Sequence, residues 1–179
     1  SYLSIDLGLN NLVTSYDSLN HNSFIVNGRP LKSINQYFNK KRALLMSYIG
    51  NRGTSNRIGK LTLKRLCKVN DYMHKASRFI VNYCIEHHIG TIVIGNNKDW
   101  KQNCNMGKRN NQNFVSIPFE KLISMIQYKS EEVEIRVVIT EESYTSKVDH
   151  YAGEEMCHHD SYLGKRIKRG LYRSSTGKI

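Results

Sequence analysis

The sequence predicts an α/β fold in which helices flank a mixed five-stranded sheet. Segments of strand length occur first as a group of three and then singly, and helical periodicity of three and four residues fills the later intervals. A chain of 179 residues with 39% hydrophobic content is long enough to bury a core without disulfide bonds. The expected order of elements is therefore β-β-β-α-α-β-α-β.

Three strands are predicted at residues 2–8, 12–16 and 23–26, where apolar and β-branched side chains alternate with polar ones. Asn10-Asn11 and Asn27-Gly28 are turn signals after the first and third strands. Short links between successive strands favour an antiparallel meander.

Two helices follow. Residues 31–49 have the pattern of a polar helix, and the glycine-containing segment 50–55 ends it. Residues 61–88 predict a long helix with one apolar stripe, formed by Leu66, Val69, Met73, Ala76, Ile80 and Cys84.

The remaining elements complete the sheet. The continuous apolar run at 91–94 is typical of a buried parallel strand. Pro118 suits the first turn of a helix over 118–130, and residues 135–139 form the fifth strand. Because parallel strands joined through helices cross over right-handed, one mixed sheet with helices on its faces is the simplest arrangement. This is the arrangement of the ribonuclease H-like fold.

Charge and composition restrict the partners. Lys and Arg number 27 against 15 Asp and Glu, which gives a net charge of +12 and favours a nucleic acid. No apolar run reaches the roughly 18 residues of a membrane span, and neither a basic amphipathic helix with large apolar anchors nor a lipidation signal is evident. The four cysteines form no CxxC pair, so free thiols in a cytoplasmic protein are expected.

Asp6 is the first candidate for chemistry. It lies inside the apolar segment 3–8, where a carboxylate is costly unless it is paired or binds a metal. Alternation along the strand equally permits an Asp that faces solvent. The residues alone leave both interpretations open.

Residues 5–13, Ile-Asp-Leu-Gly-Leu-Asn-Asn-Leu-Val, resemble the first nuclease motif of the TnpB (OrfB) family of transposon-encoded, RuvC-like proteins. The resemblance continues in the family's order through residues 92–97, 111–119, 141–147 and 162–172. The segments Asn-Gln-x-Phe-x-x-Ile-Pro-Phe and Thr-Ser-Lys are its most specific parts.

The resemblance implies an RNA-guided DNA endonuclease, associated with transposition and related to type V CRISPR effectors. Its partners would be a guide RNA and target DNA rather than a membrane or a small molecule, and its place the bacterial cytoplasm, at the nucleoid. Such domains use three carboxylates to hold two divalent cations, Mg²⁺ or Mn²⁺, which clamp the attacking and leaving oxygens of a phosphodiester. Asp6 would be the first catalytic metal ligand.

Two departures from the family follow. Gly95 stands where the family usually has a Glu at the end of the fourth strand, and Glu142, after the fifth strand, is the expected substitute ligand. Glu141 is the weaker candidate because adjacent strand residues face opposite ways. A solvated strand end at 141–142 is the alternative.

The third carboxylate follows, in the family, shortly after the segment that ends here at Ile179. Asp149 and Asp160 are poor substitutes because both fall in an irregular segment. The 179 residues are therefore expected to be part of a longer protein and to cleave DNA poorly alone. We expect a nuclease core over residues 1–147 and an irregular basic tail over 148–179, in place of the family's zinc ribbon.

Zinc is not expected, because Cys157, His158 and His159 do not supply four ligands at workable spacing. Two basic clusters are predicted to contact phosphates. They comprise Lys98, Lys101, Lys108 and Arg109, and Lys165, Arg166, Lys168 and Arg169. Two alternatives remain: a non-catalytic nucleic-acid-binding module of the same fold, and a structure-specific nuclease without a guide.

Overall fold

The computed structural model describes residues 1–50, 53–96, 116–168 and 171–179. These residues form two compact units, of which the first comprises 1–95 and 116–140 and the second is built mainly from 141–179. The division falls after Thr140, whereas the sequence placed it after Lys147.

The first unit is built on a mixed five-stranded sheet. The strands are β1 (Leu3–Leu7), β2 (Asn11–Asp17), β3 (Ser23–Asn27), β4 (Thr91–Gly95) and β5 (Arg136–Thr140), in the order β3-β2-β1-β4-β5. The first three strands form an antiparallel meander, and β4 is parallel to both β1 and β5. The predicted order of elements and the predicted fold class are confirmed.

In the described part of the chain, three helices accompany the sheet: α1 (Arg29–Ile49), α2 (Asn56–Glu86) and α3 (Phe119–Glu131). The helix α2 begins earlier than the predicted residue 61 because Ser55 caps it, its hydroxyl accepting the Ile58 N–H at 3.3 Å. Among the described residues, no helix combines the length and apolar character needed to cross a membrane.

The core lies between the sheet and the helices α2 and α3. It includes Ile5 and Ile94 from the sheet, Met73 and Ile80 from α2, and Phe119 from α3. The predicted apolar stripe of α2 is correct from Val69 to Cys84 but wrong at Leu66, which is 45% exposed. Ile58 apart, the buried residues of α2 begin at Val69, so the first half of this helix is largely exposed.

Asp17, at the end of β2, is fully buried and closes the turn into β3. Its carboxylate accepts hydrogen bonds from the backbone N–H groups of Leu19 and Asn20, from the Asn20 side chain and from the Tyr83 hydroxyl. Burial alone would raise the pKa of Asp17, but these four donors lower it below its usual value.

Lys129 of α3 is a buried cation, only 4% exposed. Its ammonium group donates to the Ser77 hydroxyl at 2.6 Å and to the His74 carbonyl at 2.9 Å, both on α2. Burial lowers the pKa of Lys129, and the neighbouring Arg78 lowers it further. The α2–α3 contact therefore holds a charge whose desolvation opposes folding.

The second unit contains a short 3₁₀ helix, His150–Ala152, and an antiparallel hairpin of β6 (Lys165–Lys168) and β7 (Leu171–Arg173). The expected irregular tail thus includes an ordered hairpin. All four residues of β6 are exposed, so this strand lacks the apolar alternation that would have identified it.

Asp149 organises this unit. It is fully buried, and its carboxylate accepts hydrogen bonds from the Ser174 hydroxyl at 2.8 Å and from the Ser175 N–H and hydroxyl at 2.7 and 2.8 Å. It also accepts the Ala152 N–H. Burial would raise the pKa of Asp149, but these donors lower it to about 2.

Replacing Lys129 by Met should stabilise the first unit at pH 7, because an apolar side chain of similar length removes a buried charge. Ser77 keeps its hydrogen bonds to the Met73 and His74 carbonyls. We expect a gain of about 1 kcal/mol in the free energy of unfolding, measured by urea titration.

The pH dependence of this gain has a defined sign. Because the folded-state pKa of Lys129 is below the unfolded value of 10.5, the wild-type protein gains stability as pH rises from the folded pKa towards 10.5. The Lys129→Met variant lacks this gain, so the stability difference should shrink with pH. A difference that stays constant to pH 10.5 would contradict the buried-cation interpretation.

Replacing Asp149 by Asn should loosen the C-terminal segment, because a neutral amide accepts hydrogen bonds more weakly than a carboxylate. We expect the Ser175 amide to exchange its hydrogen about tenfold faster or more. The exposed Asp160→Asn variant is the matched control and should leave that exchange rate unchanged.

Acid should act on the wild-type protein in the same way. Since the pKa of Asp149 is lowered from 3.8 to about 2, its contribution to stability is present above pH 3.8 and is lost as pH falls through about 2. Equal Ser175 exchange rates in the Asp149→Asn and Asp160→Asn variants would refute this role.

Candidate functional site

The carboxyl ends of three parallel strands meet at one edge of the first unit's sheet. Ile5 of β1 pairs with Ile94 of β4, and Gly95 of β4 pairs with Thr140 of β5. Asp6 directly follows Ile5, and Gly95 directly follows Ile94. Asp6, Gly95 and Thr140 therefore form a row of three residues across the carboxyl ends of β1, β4 and β5. Ligands of open α/β sheets bind at such carboxyl ends.

Asp6 is exposed, while its strand neighbours Ile5 and Leu7 are buried. The carboxylate thus belongs to the strand face turned away from the core, as strict alternation allows. Carboxylate oxygens are the ligand type that hard divalent cations prefer.

The turn after Asp6 is fixed by two glycines. A Cβ on Gly8 would lie 2.8 Å from the Asn11 carbonyl oxygen, and one on Gly28 would collide with the Leu9 carbonyl oxygen. The Gly28 N–H donates to the Asn10 carbonyl at 2.7 Å. Only glycine admits this close packing of backbone on backbone, so the glycines hold the turn that follows Asp6.

Gly95 ends β4 and is buried. Lacking a side chain, it contributes no ligand at the position where the resemblance predicted a second carboxylate. The sheet of the first unit therefore offers one acidic side chain, Asp6, among the three strand-end residues of this row.

Glu142 follows β5 along the chain and is half-buried in the second unit. Its backbone carbonyl accepts hydrogen bonds from the Thr145 hydroxyl at 2.9 Å and the Thr145 N–H at 3.4 Å. Glu141 is exposed and accepts the Ser143 hydroxyl at 2.7 Å. Asp6 and Glu142 belong to different units, and their role as joint ligands stays a prediction.

Asp149 is already committed to hydrogen bonds with Ser174 and Ser175, which leaves it poorly suited to ligate a metal. Asp160 is exposed. Within the four described ranges, no group of three or more His, Cys, Asp and Glu side chains is placed to hold a metal ion.

The Cys–His segment has structural contacts of its own. The ring of His158 packs edge-on against Tyr144, and the His159 Nε2 lies 2.8 Å from the Glu155 carbonyl and 3.4 Å from the Cys157 sulfur. Cys157 is a free thiol, as are Cys67 and Cys84.

The hairpin β6–β7 presents three of the predicted phosphate contacts, Lys165, Arg166 and Lys168, all of them exposed. Tyr172, opposite Arg166, donates to the Lys147 carbonyl at 2.9 Å and packs so tightly on Gly164 that a Cβ there would collide with its ring. Tyr172 is therefore a packing residue.

Beside the hairpin lies a groove of about 270 Å³, and Arg166 is among the residues that line it. Its polar lining includes Thr145, Ser146 and His150, and the His150 Nε2 donates to the Thr145 carbonyl at 2.7 Å. An arginine beside two hydroxyls offers a phosphate both charge and hydrogen bonds. Lys98, Lys101, Lys108, Arg109 and Arg169, the other predicted phosphate contacts, lie outside the described residues.

A further basic surface, on α1 and the first half of α2, was not predicted from the sequence. The signal was the spacing of carboxylates: no Asp or Glu occurs between Asp17 and Asp71. The phosphate contacts were predicted from clusters of Lys and Arg instead, although a long interval without acidic residues concentrates positive charge as effectively.

Two solved structures share the fold. The first is a cryo-EM structure of a Cas12f1–sgRNA–target DNA complex, with a TM-score of 0.63 and 16% identity over 81% of this chain and 37% of that one. The second is a cryo-EM structure of a CRISPR-Cas12f ternary complex, with a TM-score of 0.59 and 16% identity over 75% of this chain and 27% of that one. The chain thus spans about a third of the length of these proteins. No curated protein sequence matches it.

The model of one sequence family, OrfB_IS605, described as a probable transposase, matches residues 1–101. The match covers more than half of the chain and includes the strands β1 to β4 and the helices α1 and α2. The resemblance found in the sequence motifs is thereby confirmed, and the chain belongs to the OrfB family of probable transposases.

Proposed function

We propose that this chain is the RuvC-like nuclease domain of a TnpB-type protein, which cleaves DNA phosphodiesters under the direction of a guide RNA. The observation that carries the proposal is Asp6, an exposed carboxylate at the carboxyl end of an otherwise buried strand, beside two parallel strand ends. The fold is shared with Cas12f proteins solved with sgRNA and target DNA, which supports nucleic-acid partners.

Asp6 and Glu142 would hold Mg²⁺ or Mn²⁺, since carboxylate oxygens are the ligands that these cations prefer. A bound pair of such cations activates water and stabilises the leaving oxygen of a phosphodiester. Gly95 cannot ligate, so Glu142 would supply the carboxylate that the end of β4 lacks.

The remaining residues position and bind. The Gly8 and Gly28 packing keeps Asp6 at the strand end, and the exposed cations of β6 would hold phosphates of the substrate or the guide. Sequence would be recognised by base pairing with the guide rather than by these side chains.

Replacing Asp6 by Asn should remove divalent-cation binding, because a neutral amide oxygen is a far weaker ligand. In the 179-residue chain we expect Mn²⁺ to broaden NMR signals near Asp6 and to lose that effect in the variant. The matched control is the Asp71→Asn variant, which should leave the broadening intact. Asp71 is an exposed carboxylate of α2 that pairs with Lys75.

In the full-length protein with its guide RNA, Asp6→Asn and Glu142→Gln should each abolish cleavage and leave DNA binding largely unchanged. The 179-residue chain alone should cut DNA very weakly, since two carboxylates hold one cation loosely and a second hardly at all. Full cleavage by the Glu142→Gln protein would show that the second ligand lies elsewhere.

Replacing Lys165, Arg166 and Lys168 together by Ala should lower the affinity for duplex DNA and make that affinity depend less steeply on salt. If all three touch phosphates, the slope of log K against log salt should fall in magnitude by about 3, measured by fluorescence anisotropy. A control triple of exposed cations elsewhere, Lys75→Gln, Lys121→Gln and Arg136→Gln, removes the same charge. Equal slopes for the two triples would mean that β6 only carries solvated charges.

Gly95 favours a second candidate, a non-catalytic nucleic-acid-binding module that kept the fold and lost the site. Mn²⁺ binding distinguishes the nuclease domain from the binding module. A module without a cation site should show no Mn²⁺ binding that depends on Asp6, so Asp6→Asn should change nothing. An unguided nuclease is tested by purification: absence of a defined copurifying RNA from the full-length protein would favour it.

A further inference from the structure

The net positive charge of this chain is concentrated in one stretch of the sequence. Between Asp17 and Asp71 there is no acidic residue, and the same interval holds eleven basic ones, so that the rest of the chain has 16 basic and 15 acidic residues. The eleven are Arg29, Lys32, Lys40, Lys41, Arg42, Arg52, Arg57, Lys60, Lys64, Arg65 and Lys68. Nearly all the net charge of +12 therefore lies on α1, α2 and their connection.

Most of this charge faces solvent. Of the described members, all but Lys32 and Arg65 are exposed. The ion pairs found among the described residues, Lys75–Asp71 and Arg78–Glu132, leave these basic side chains unneutralised. An unneutralised basic surface of this size calls for a polyanionic partner.

The helix α2 arranges part of the charge in a line. Lys60, Lys64 and Lys68 are four residues apart, so they lie on the same side of the helix with a rise of about 6 Å between successive positions. Such a regular row follows a backbone of repeated phosphates better than it matches an irregular acidic protein surface.

A groove between α1 and α2 adjoins this row. It has a volume of about 260 Å³, and Lys64 and Lys68 line it together with Tyr37, a residue that is 59% exposed. The apolar floor, which includes Phe38 and Leu61, is half-buried. The flat surface of a lipid bilayer contacts a recessed groove floor poorly, whereas a single nucleic-acid base can enter the groove.

Arg65 holds the groove in shape. Its Nε donates to the Asn35 side chain at 2.6 Å, its Nη2 donates to the Ser116 carbonyl at 3.1 Å, and its guanidinium lies 5.2 Å from the centre of the Phe38 ring. Arg65 is thus a positioning residue, and Lys60, Lys64, Lys68 and Tyr37 remain for a ligand.

We infer that this α1–α2 groove binds an unpaired nucleic-acid strand, with phosphates on Lys60, Lys64 and Lys68 and a base stacked on Tyr37. A cationic groove with an exposed aromatic ring is the usual combination for single strands, since a base within a duplex cannot stack on a side chain. The inference goes beyond the proposed function, because it requires neither a metal ion nor cleavage.

The test uses the 179-residue chain in EDTA with a fluorescent 20-nucleotide oligouridylate, an RNA duplex of equal length, and phosphatidylserine vesicles. The triple variant Lys60→Gln, Lys64→Gln and Lys68→Gln should lower the magnitude of the salt slope for the single strand by about 2. The control triple Lys75→Gln, Lys121→Gln and Arg136→Gln should change it much less. Circular dichroism checks that each variant is folded.

Tyr37 separates stacking from charge. Tyr37→Ala should weaken single-strand binding about tenfold with the salt slope unchanged, and Tyr37→Phe should bind like the wild type. Equal effects of the two triples, no effect of Tyr37→Ala, or preferential binding of duplex or vesicles would each overturn the inference. Failure here leaves the Mn²⁺ test of Asp6 unaffected, so the two proposals fail separately.

Discussion

The parallel pairing of β4 with β1 on one side and β5 on the other is the constraint on which the first unit depends. The register that places Ile5 beside Ile94 and Gly95 beside Thr140 aligns the carboxyl ends of three strands. A slip of one residue would turn Ile92 and Ile94, both fully buried, to the opposite face of the sheet. Core packing thus fixes the position of the exposed carboxylate of Asp6.

Much of this was predictable from the sequence. Strand alternation identified β1 to β3, the short apolar run identified β4, and helical periodicity identified α1, α2 and α3, because each signal is local. The position of Asp6 within the first strand followed from the same local pattern, but its exposure did not, because alternation along the strand permits either interpretation. The start of α2 was missed by a few residues, since the Ser55 cap lies before any apolar periodicity begins.

The features that sequence reasoning missed depend on distant partners. The partners of Asp149 are Ser174 and Ser175, some 25 residues away along the chain, so no local pattern indicates that its carboxylate is buried. Lys129 occupies the inner face of α3 three residues after Ile126, where periodicity would expect an apolar side chain. Its hydrogen-bonding partners come from α2, which local periodicity does not reveal.

The proposed cation site and the basic surfaces lie on different elements of the chain. Two glycines hold one carboxylate at a strand end, while the positive charge lies on α1, α2 and β6. We propose that Asp6 and Glu142 ligate the same cation, with Glu142 supplying the carboxylate that Gly95 lacks. A crystal structure of the full-length protein with Mn²⁺, located by its anomalous scattering, tests this most directly. We expect carboxylate oxygens of both residues within about 2.5 Å of one Mn²⁺. A Mn²⁺ on Asp6 with Glu142 beyond coordinating distance would contradict it.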